Sequence, residues 1–262
     1  MIKLVTIDLD GTLLDSRSEI SIENRKAIKY CMDKGVKVCL STGKSMRFAG
    51  RIIKDLGLKS LQIVSGGTMV VDPRLKPIYI SKIPRRSVID TVKLARHNNI
   101  GFVLDTTNGF LCYDKYYQEL EHIFSSGEVK KKVNDMLSDH IIDSALLFTF
   151  TVNKDHFFNS ILSKSISRDV KIRRGGTYFL NILKADAGKV AGLKKVIGAY
   201  GISQSQVMAI GDNNNDKGTL EFAGLSVAMG NATDEIKEMA DFITADNDNN
   251  GVAEAIYKHI KQ

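Results

Sequence analysis

Short apolar, β-rich runs alternate with amphipathic helical segments at both ends of the chain, and this alternation restricts the fold more than any other feature. Ile2 to Asp8 reads as a buried strand. Ser21 to Lys34 reads as a helix, with Ile22, Ala27, Ile28, Cys31 and Met32 at helical spacing, Ser21 as N-cap and Gly35 just past its end. Val36 to Leu40 is the next strand, Ser45 to Leu56 a helix closed by Gly57, and Leu61 to Ser65 a strand ending at Gly66-Gly67. The same order returns late, with strands at Val207 to Ile210, Leu225 to Ala228 and Phe242 to Thr244. Helices at Asp216 to Ala223, Asp234 to Met239 and Gly251 to Ile260 separate and follow them. An α/β fold with a Rossmann-like parallel sheet covered by helices accommodates this order.

Between the two stretches the pattern changes to α+β. Pro84 to Asn98 and His156 to Ser163 read as helices, and Leu146 to Val152 as a strand. Phe102 to Leu104 and Phe110 to Tyr113 form a hairpin pattern across Asn108-Gly109, and Lys171 to Ile182 another around Gly175-Gly176. The charge run Lys130 to Lys132 reads as a solvated helix face. The expected division is a core of residues 1–80 and 186–262, interrupted by an inserted domain of residues 81–185.

Composition removes several function classes. Three scattered cysteines, Cys31, Cys39 and Cys112, support neither a disulfide framework nor a zinc cluster, and they fit a reducing compartment. Asp8 and Asp10 interrupt the stretch a signal peptide would need, and no apolar run approaches the ~20 residues of a membrane span. A cytoplasmic protein without a membrane partner is therefore expected; oligomeric state is not legible. The net charge of +7 favours anionic partners. Nucleic acid is disfavoured, because basic residues gather only in short clusters such as Lys130 to Lys132 and Arg173-Arg174 and tryptophan is absent. A small phosphorylated metabolite fits the same charge.

Three clusters carry the chemistry, and each follows a strand, at the edge where open α/β sheets bind ligands. Asp8-Leu9-Asp10-Gly11-Thr12-Leu13 ends the first strand, and Gly211-Asp212-Asn213-Asn214-Asn215-Asp216 ends a late one. Together they place four carboxylates on one rim, a concentration of negative charge that a divalent cation offsets. Oxygen donors without clustered His or Cys suit Mg²⁺. The third cluster, Ser41-Thr42-Gly43-Lys44, opens a helix, where a hydroxyl and free backbone N–H groups hold an anion. A calcium loop from Asp8 fails because its sixth position is Leu13, and no Walker pattern precedes Gly43-Lys44-Ser45.

These clusters, with a lysine in the region of Lys189, resemble the four motifs of haloacid dehalogenase superfamily phosphatases, in order and at fitting separations. The insert is similar to the α/β cap of the Cof-type sugar-phosphatase branch. The resemblance extends over essentially the whole chain, including Asn249-Asn250-Gly251-Val252. It implies Mg²⁺-dependent hydrolysis of a phosphomonoester through an aspartyl-phosphate, with Asp8 as nucleophile and Asp10 as acid and then base. It also implies Mg²⁺ held by Asp8, the Asp10 backbone carbonyl and Asp212, with Asp216 in support. Thr42 and Lys189 would bind the transferring phosphoryl group, aided by backbone N–H groups near Gly11 and Gly43 and by Asn215.

Two departures bear on the leaving group. Lys44 stands where the family commonly has Arg, and Gly66-Gly67 where it has Asn-Gly, so Lys44 and Gly66 join the residues expected to set specificity. In the insert, Arg174, Thr177 and Tyr178 offer a cation, a hydroxyl and an aromatic ring around a glycine turn, suited to reading a polyhydroxyl or carboxylated leaving group. Phosphoglycolate hydrolysis and phosphomutase-like transfer remain alternatives, as does a non-catalytic phospho-ligand-binding protein. That last reading predicts loss of an essential acid, whereas Asp8, Asp10, Asp212 and Asp216 are all present.

Overall fold

The computed structural model describes residues 1–98, 100–107, 109–113, 129–133, 138–151, 167–175 and 179–261. In chain order its elements are β1 (Leu4–Ile7), α1 (Ile22–Asp33), β2 (Lys37–Leu40), α2 (Met46–Asp55), β3 (Gln62–Val64), β4 (Met69–Val71) and β5 (Pro77–Ile80). They continue as α3 (Arg85–His97), β6 (Phe102–Thr106), β7 (Gly109–Tyr113), β8 (Val129–Val133), α4 (Asp139–Ile142), β9 (Ala145–Thr151), β10 (Val170–Gly175) and β11 (Phe179–Lys184). The last stretch holds α5 (Lys189–Tyr200), β12 (Val207–Gly211), α6 (Lys217–Phe222), β13 (Leu225–Ala228), α7 (Asp234–Met239), β14 (Phe242–Ile243) and α8 (Gly251–His259).

The chain divides into two compact units, one of residues Met1–Lys44, Ala49–Tyr79 and Lys189–Gln262, the other of Ser45–Phe48 and Ile80–Gly188. The first is built on a five-stranded parallel sheet in the order β14-β13-β12-β1-β2. Its strands are short and its central ones are buried, as strands covered on both faces must be; all four residues of β1 and all five of β12 are buried, while the edge strand β14 is partly exposed. Leu4, Cys39, Ile63, Val70, Leu193, Val196, Ile202 and Val207 form one cluster of its core. Ser21 caps α1 by accepting the Asn24 N–H at 3.1 Å, and Gly35 ends it at φ +74°.

β1 lies between β12 and β2, with Ile7 opposite both Ile210 and Leu40. The chain therefore leaves all three strands at one rim, with β2 on one side of β1 and β12 on the other. This register brings Asp8, Ser41-Thr42 and Gly211-Asp212 to the same end.

Two strands the periodicity does not announce, β4 and β5, join β3 in a small sheet beside β2. β4 follows β3 after only a short glycine turn, and β5 begins at Pro77 and is largely exposed, so neither stands out as a separate apolar run. The buried Gln62 side chain continues the β2 edge, accepting the Leu40 N–H at 2.7 Å and donating to the Val38 carbonyl at 3.0 Å. Ladder groups at that edge are thus satisfied by an amide side chain.

The second unit carries a six-stranded sheet in the order β10-β11-β9-β6-β7-β8. Val88, Val92 and Ala95 of α3 pack with Phe102, Phe148 and Phe150, whose first two rings meet edge-on at 5.3 Å. The run Lys130 to Lys132, expected on a helix, lies in β8, paired parallel to β7. Charge patterning alone does not distinguish a helix from an edge strand, and β8 stands at the end of the sheet order. The expected helix from His156 to Ser163 lies outside the described residues. Among the described residues no helix is long and apolar enough to cross a membrane.

Candidate active site

The loop after β1 begins at Asp8, which is buried, and the helix α5 begins at Lys189, which is buried as well. The Lys189 ammonium donates at 2.7 Å to Asp8 Oδ1 and at 2.7 Å to Asp216 Oδ1. The other Asp216 oxygen, Oδ2, faces the backbone N–H groups of Asp212 and Asn213 at 3.3 and 3.4 Å. Asp212 in turn accepts from the Thr12 hydroxyl at 2.9 Å and from the Asn213 amide at 3.3 Å. A lysine from one element thus bridges acids from two others, and each acid is oriented by a neighbour.

Two glycines make this packing possible. A Cβ on Gly11, which sits at φ +76°, would come within 2.6 Å of Asp212 Oδ2. One on Gly211 would come within 2.5 Å of the Asp216 Cβ. Both positions require the backbone to approach a carboxylate-bearing residue more closely than any side chain allows.

Asp8, Asp212 and Asp216 each offer a carboxylate oxygen within 4.8 Å of the others, the one such acid group among the described residues. Three carboxylates face one ammonium, so the cluster carries excess negative charge. Burial first, then repulsion from Asp216, pushes the Asp8 carboxyl up to about 8 against the pull of Lys189. The same two causes push Asp212 up to about 6. Lys189 is burdened by burial, yet the Asp216 and Asp8 carboxylates hold its pKa above the ordinary lysine range. Acids kept from ionising by burial first and by one another second are a place where a divalent cation is electrostatically favoured, and an all-oxygen donor set fits Mg²⁺.

The other expected residues divide into those brought to this rim and those not. Thr42 is buried, and its hydroxyl oxygen accepts the Lys44 N–H at 3.0 Å. Its carbonyl accepts the Gly66 N–H at 3.0 Å, which ties Gly66 to the second cluster. Asp10 is not part of this acid group; its half-exposed carboxylate pairs with Lys44 at 3.2 Å. Asn215 is half-buried, its N–H held by Asn213 Oδ1 at 2.8 Å. Gly43 is exposed with open space around it. Thr177 and Tyr178 lie outside the described residues, as does the side chain of Arg174. Thr12 and Asn213, which steer Asp212, carry no sequence signal beyond their place within the acid clusters.

Residues 5–256 match the family of haloacid dehalogenase-like hydrolases. The chain belongs to that family. It is 32% identical over 97% of its length to 94% of the 5-amino-6-(5-phospho-D-ribitylamino)uracil phosphatase YcsE of Bacillus subtilis. It is 31% identical to YwtE of the same organism, a phosphatase of the same name, over 96% of both chains. A solved haloacid dehalogenase-like hydrolase from Bacteroides thetaiotaomicron superposes with a TM-score of 0.87 at 26% identity, covering 98% of this chain and 99% of that one. This haloacid dehalogenase-like hydrolase is a phosphatase, with the parallel core and separately folded insert of the Cof-type branch.

Proposed function

We propose that this phosphatase is a Mg²⁺-dependent phosphomonoester hydrolase that works through an aspartyl-phosphate on Asp8. The observation that carries the reading is the buried Asp8–Lys189–Asp216 bridge beside Asp212. Lys189 occupies Asp8 Oδ1, which leaves Oδ2 to attack phosphorus as the ester P–O bond breaks. Asp10 gives its proton to the departing alkoxide. It then takes a proton from the water that attacks the aspartyl-phosphate, so that the Asp8 carboxylate is regenerated and inorganic phosphate is released. Thr42, whose oxygen already accepts from Lys44 N–H, keeps its O–H to donate to a phosphoryl oxygen, as does Lys189.

Asp8, Asp212 and the Asp10 carbonyl would hold Mg²⁺, with Asp216 supporting them. When bound, the ion neutralises phosphate and nucleophile charge together, so that an anion does not have to attack an anion.

Asp10→Asn is expected to lower kcat/KM by ~10² to 10⁴, the usual worth of general acid catalysis. The loss should be larger for alkyl phosphates than for aryl phosphates, because a phenolate departs without a proton. Equal losses on both substrates, or none, would remove Asp10 from the acid role.

The two relatives named for a phosphoribitylamino-uracil support a substrate of that class, a polyol phosphate ester carried on a heterocycle. Phosphate release should be screened over that compound, sugar phosphates, phosphoglycolate, nucleotides, flavin mononucleotide and pyridoxal phosphate. The polyol ester is expected to give the highest kcat/KM. A higher value for phosphoglycolate, or turnover only with a phosphorylated activator, would overturn the assignment.

A further inference from the structure

The loop that carries Asp10 is fastened from outside by side-chain amides of two other loops. Asn231 donates through Nδ2 to the Gly11 carbonyl at 2.8 Å, and Asn247 donates through Nδ2 to the Leu14 carbonyl at 2.9 Å. The amides are themselves joined, since Asn231 Oδ1 accepts the Asn247 N–H at 3.1 Å. Asp248 extends the contact by accepting the Ser16 N–H at 2.8 Å.

The loop bearing Asn231 follows β13 and is anchored on both sides by backbone. Met229 N–H bonds to the Gly211 carbonyl at 3.0 Å and Thr233 N–H to the Asp212 carbonyl at 3.2 Å, while Gly230 N–H reaches Ala245 at 3.1 Å. A Cβ on Gly230 would stand 2.7 Å from Asp246 N, so this loop is pressed against the one bearing Asn247. Asn231 therefore projects from a fixed support. Gly11 needs one, because its left-handed backbone and its closeness to Asp212 tie the orientation of the Asp10–Gly11 segment to the acid cluster.

We infer that Asn231, assisted by Asn247, is a positioning residue that sets the placement of the Asp10 loop for proton transfer. The inference rests on the assignment of Asp8 and Asp10 to the reaction. It concerns geometry alone: a displacement of ~1 Å in a reacting group costs on the order of 10²-fold in rate.

Asn231→Asp keeps an acceptor for Asn247 N–H but sets a carboxylate oxygen against the Gly11 carbonyl in place of a donor. Asn247→Asp does the same at Leu14 while retaining its backbone N–H. Each variant is assayed as Mg²⁺-loaded enzyme on p-nitrophenyl phosphate and on an alkyl phosphate turned over by the wild type, with melting temperature measured in parallel. The expected result is a fall in kcat/KM of about tenfold or more on the alkyl ester, a smaller fall on the aryl ester, and KM changed little. That is the pattern expected of Asp10→Asn, in milder form. Losses equal on the two substrates, or unchanged kcat/KM in folded variants, would overturn the inference and leave the amides a structural role. Should Asn231→Asp fail to fold, Asn247→Asp decides by the same ratio. Full activity of Asp8→Asn or Asp10→Asn would instead overturn the underlying mechanism, whatever the amides do.

Discussion

Asp8→Asn is expected to abolish phosphatase turnover, with a loss on the order of 10⁴ or more, as removal of a nucleophile does elsewhere. The amide is nearly isosteric and can still accept from Lys189, but it lacks the lone-pair reactivity that forms the phosphoryl bond. The fold should survive, because the substitution relieves charge crowding rather than creating it: three carboxylates facing one ammonium become two. A stability signature follows from the raised Asp8 pKa. Between the ordinary 3.8 and about 8 the folded protein holds a proton that the unfolded chain has lost. The stabilisation is therefore complete below about 3.8 and declines as pH rises towards about 8. In metal-free protein the melting temperature should fall across that window, and the fall should be smaller in Asp8→Asn. Melts in chelator at pH 5 and pH 8 check this. Wild-type activity in an undeamidated Asp8→Asn sample would remove Asp8 from the nucleophilic role.

The second large effect is metal removal. Chelation is expected to abolish activity and Mg²⁺ to restore it, while Asp212→Ala should require far more metal or remain inactive. The site binds a cation only in competition with the protons on its acids. Burial and Asp216 push Asp212 up to about 6 and Asp8 up to about 8, so Mg²⁺ affinity should tighten as pH rises through both values and level off above them. Titration calorimetry at pH 5.5, 7 and 8.5 reads this trend directly. Full activity in excess chelator, with metal content measured at zero, contradicts the mechanism; a pH-independent affinity contradicts the assignment of these acids as ligands.

The parts of the molecule that were legible in advance share a local physical cause. Apolar periodicity marks the core strands and helices because each must bury a face, and strand-end position marks Asp8, Thr42 and Asp212 because an open parallel sheet presents its ligands there. Lys189 was legible only through resemblance, since Lys184, Lys194 and Lys195 nearby have the same chemistry. What separates it is burial beside two acids, which no spacing reveals. Lys44 shows the opposite limit. Its departure from the family's usual Arg is legible in the sequence, but its pairing with Asp10 at 3.2 Å is visible only in the structure.

The sequence by itself determined the class of fold, the family and the residue types at the rim, because these follow from short local patterns and from the order in which they recur along the chain. Tertiary structure alone decided which acids share a site. Asp8 and Asp216 meet only because β1 pairs with β12, and a lysine from α5 then bridges them. It likewise decided that Asp10 pairs with Lys44 outside the group of Asp8, Asp212 and Asp216, and that Asn231 and Asn247 hold its loop from more than two hundred positions away. Contacts between residues so distant in sequence leave no local periodicity, and only the assembly of the sheet brings them within hydrogen-bond reach.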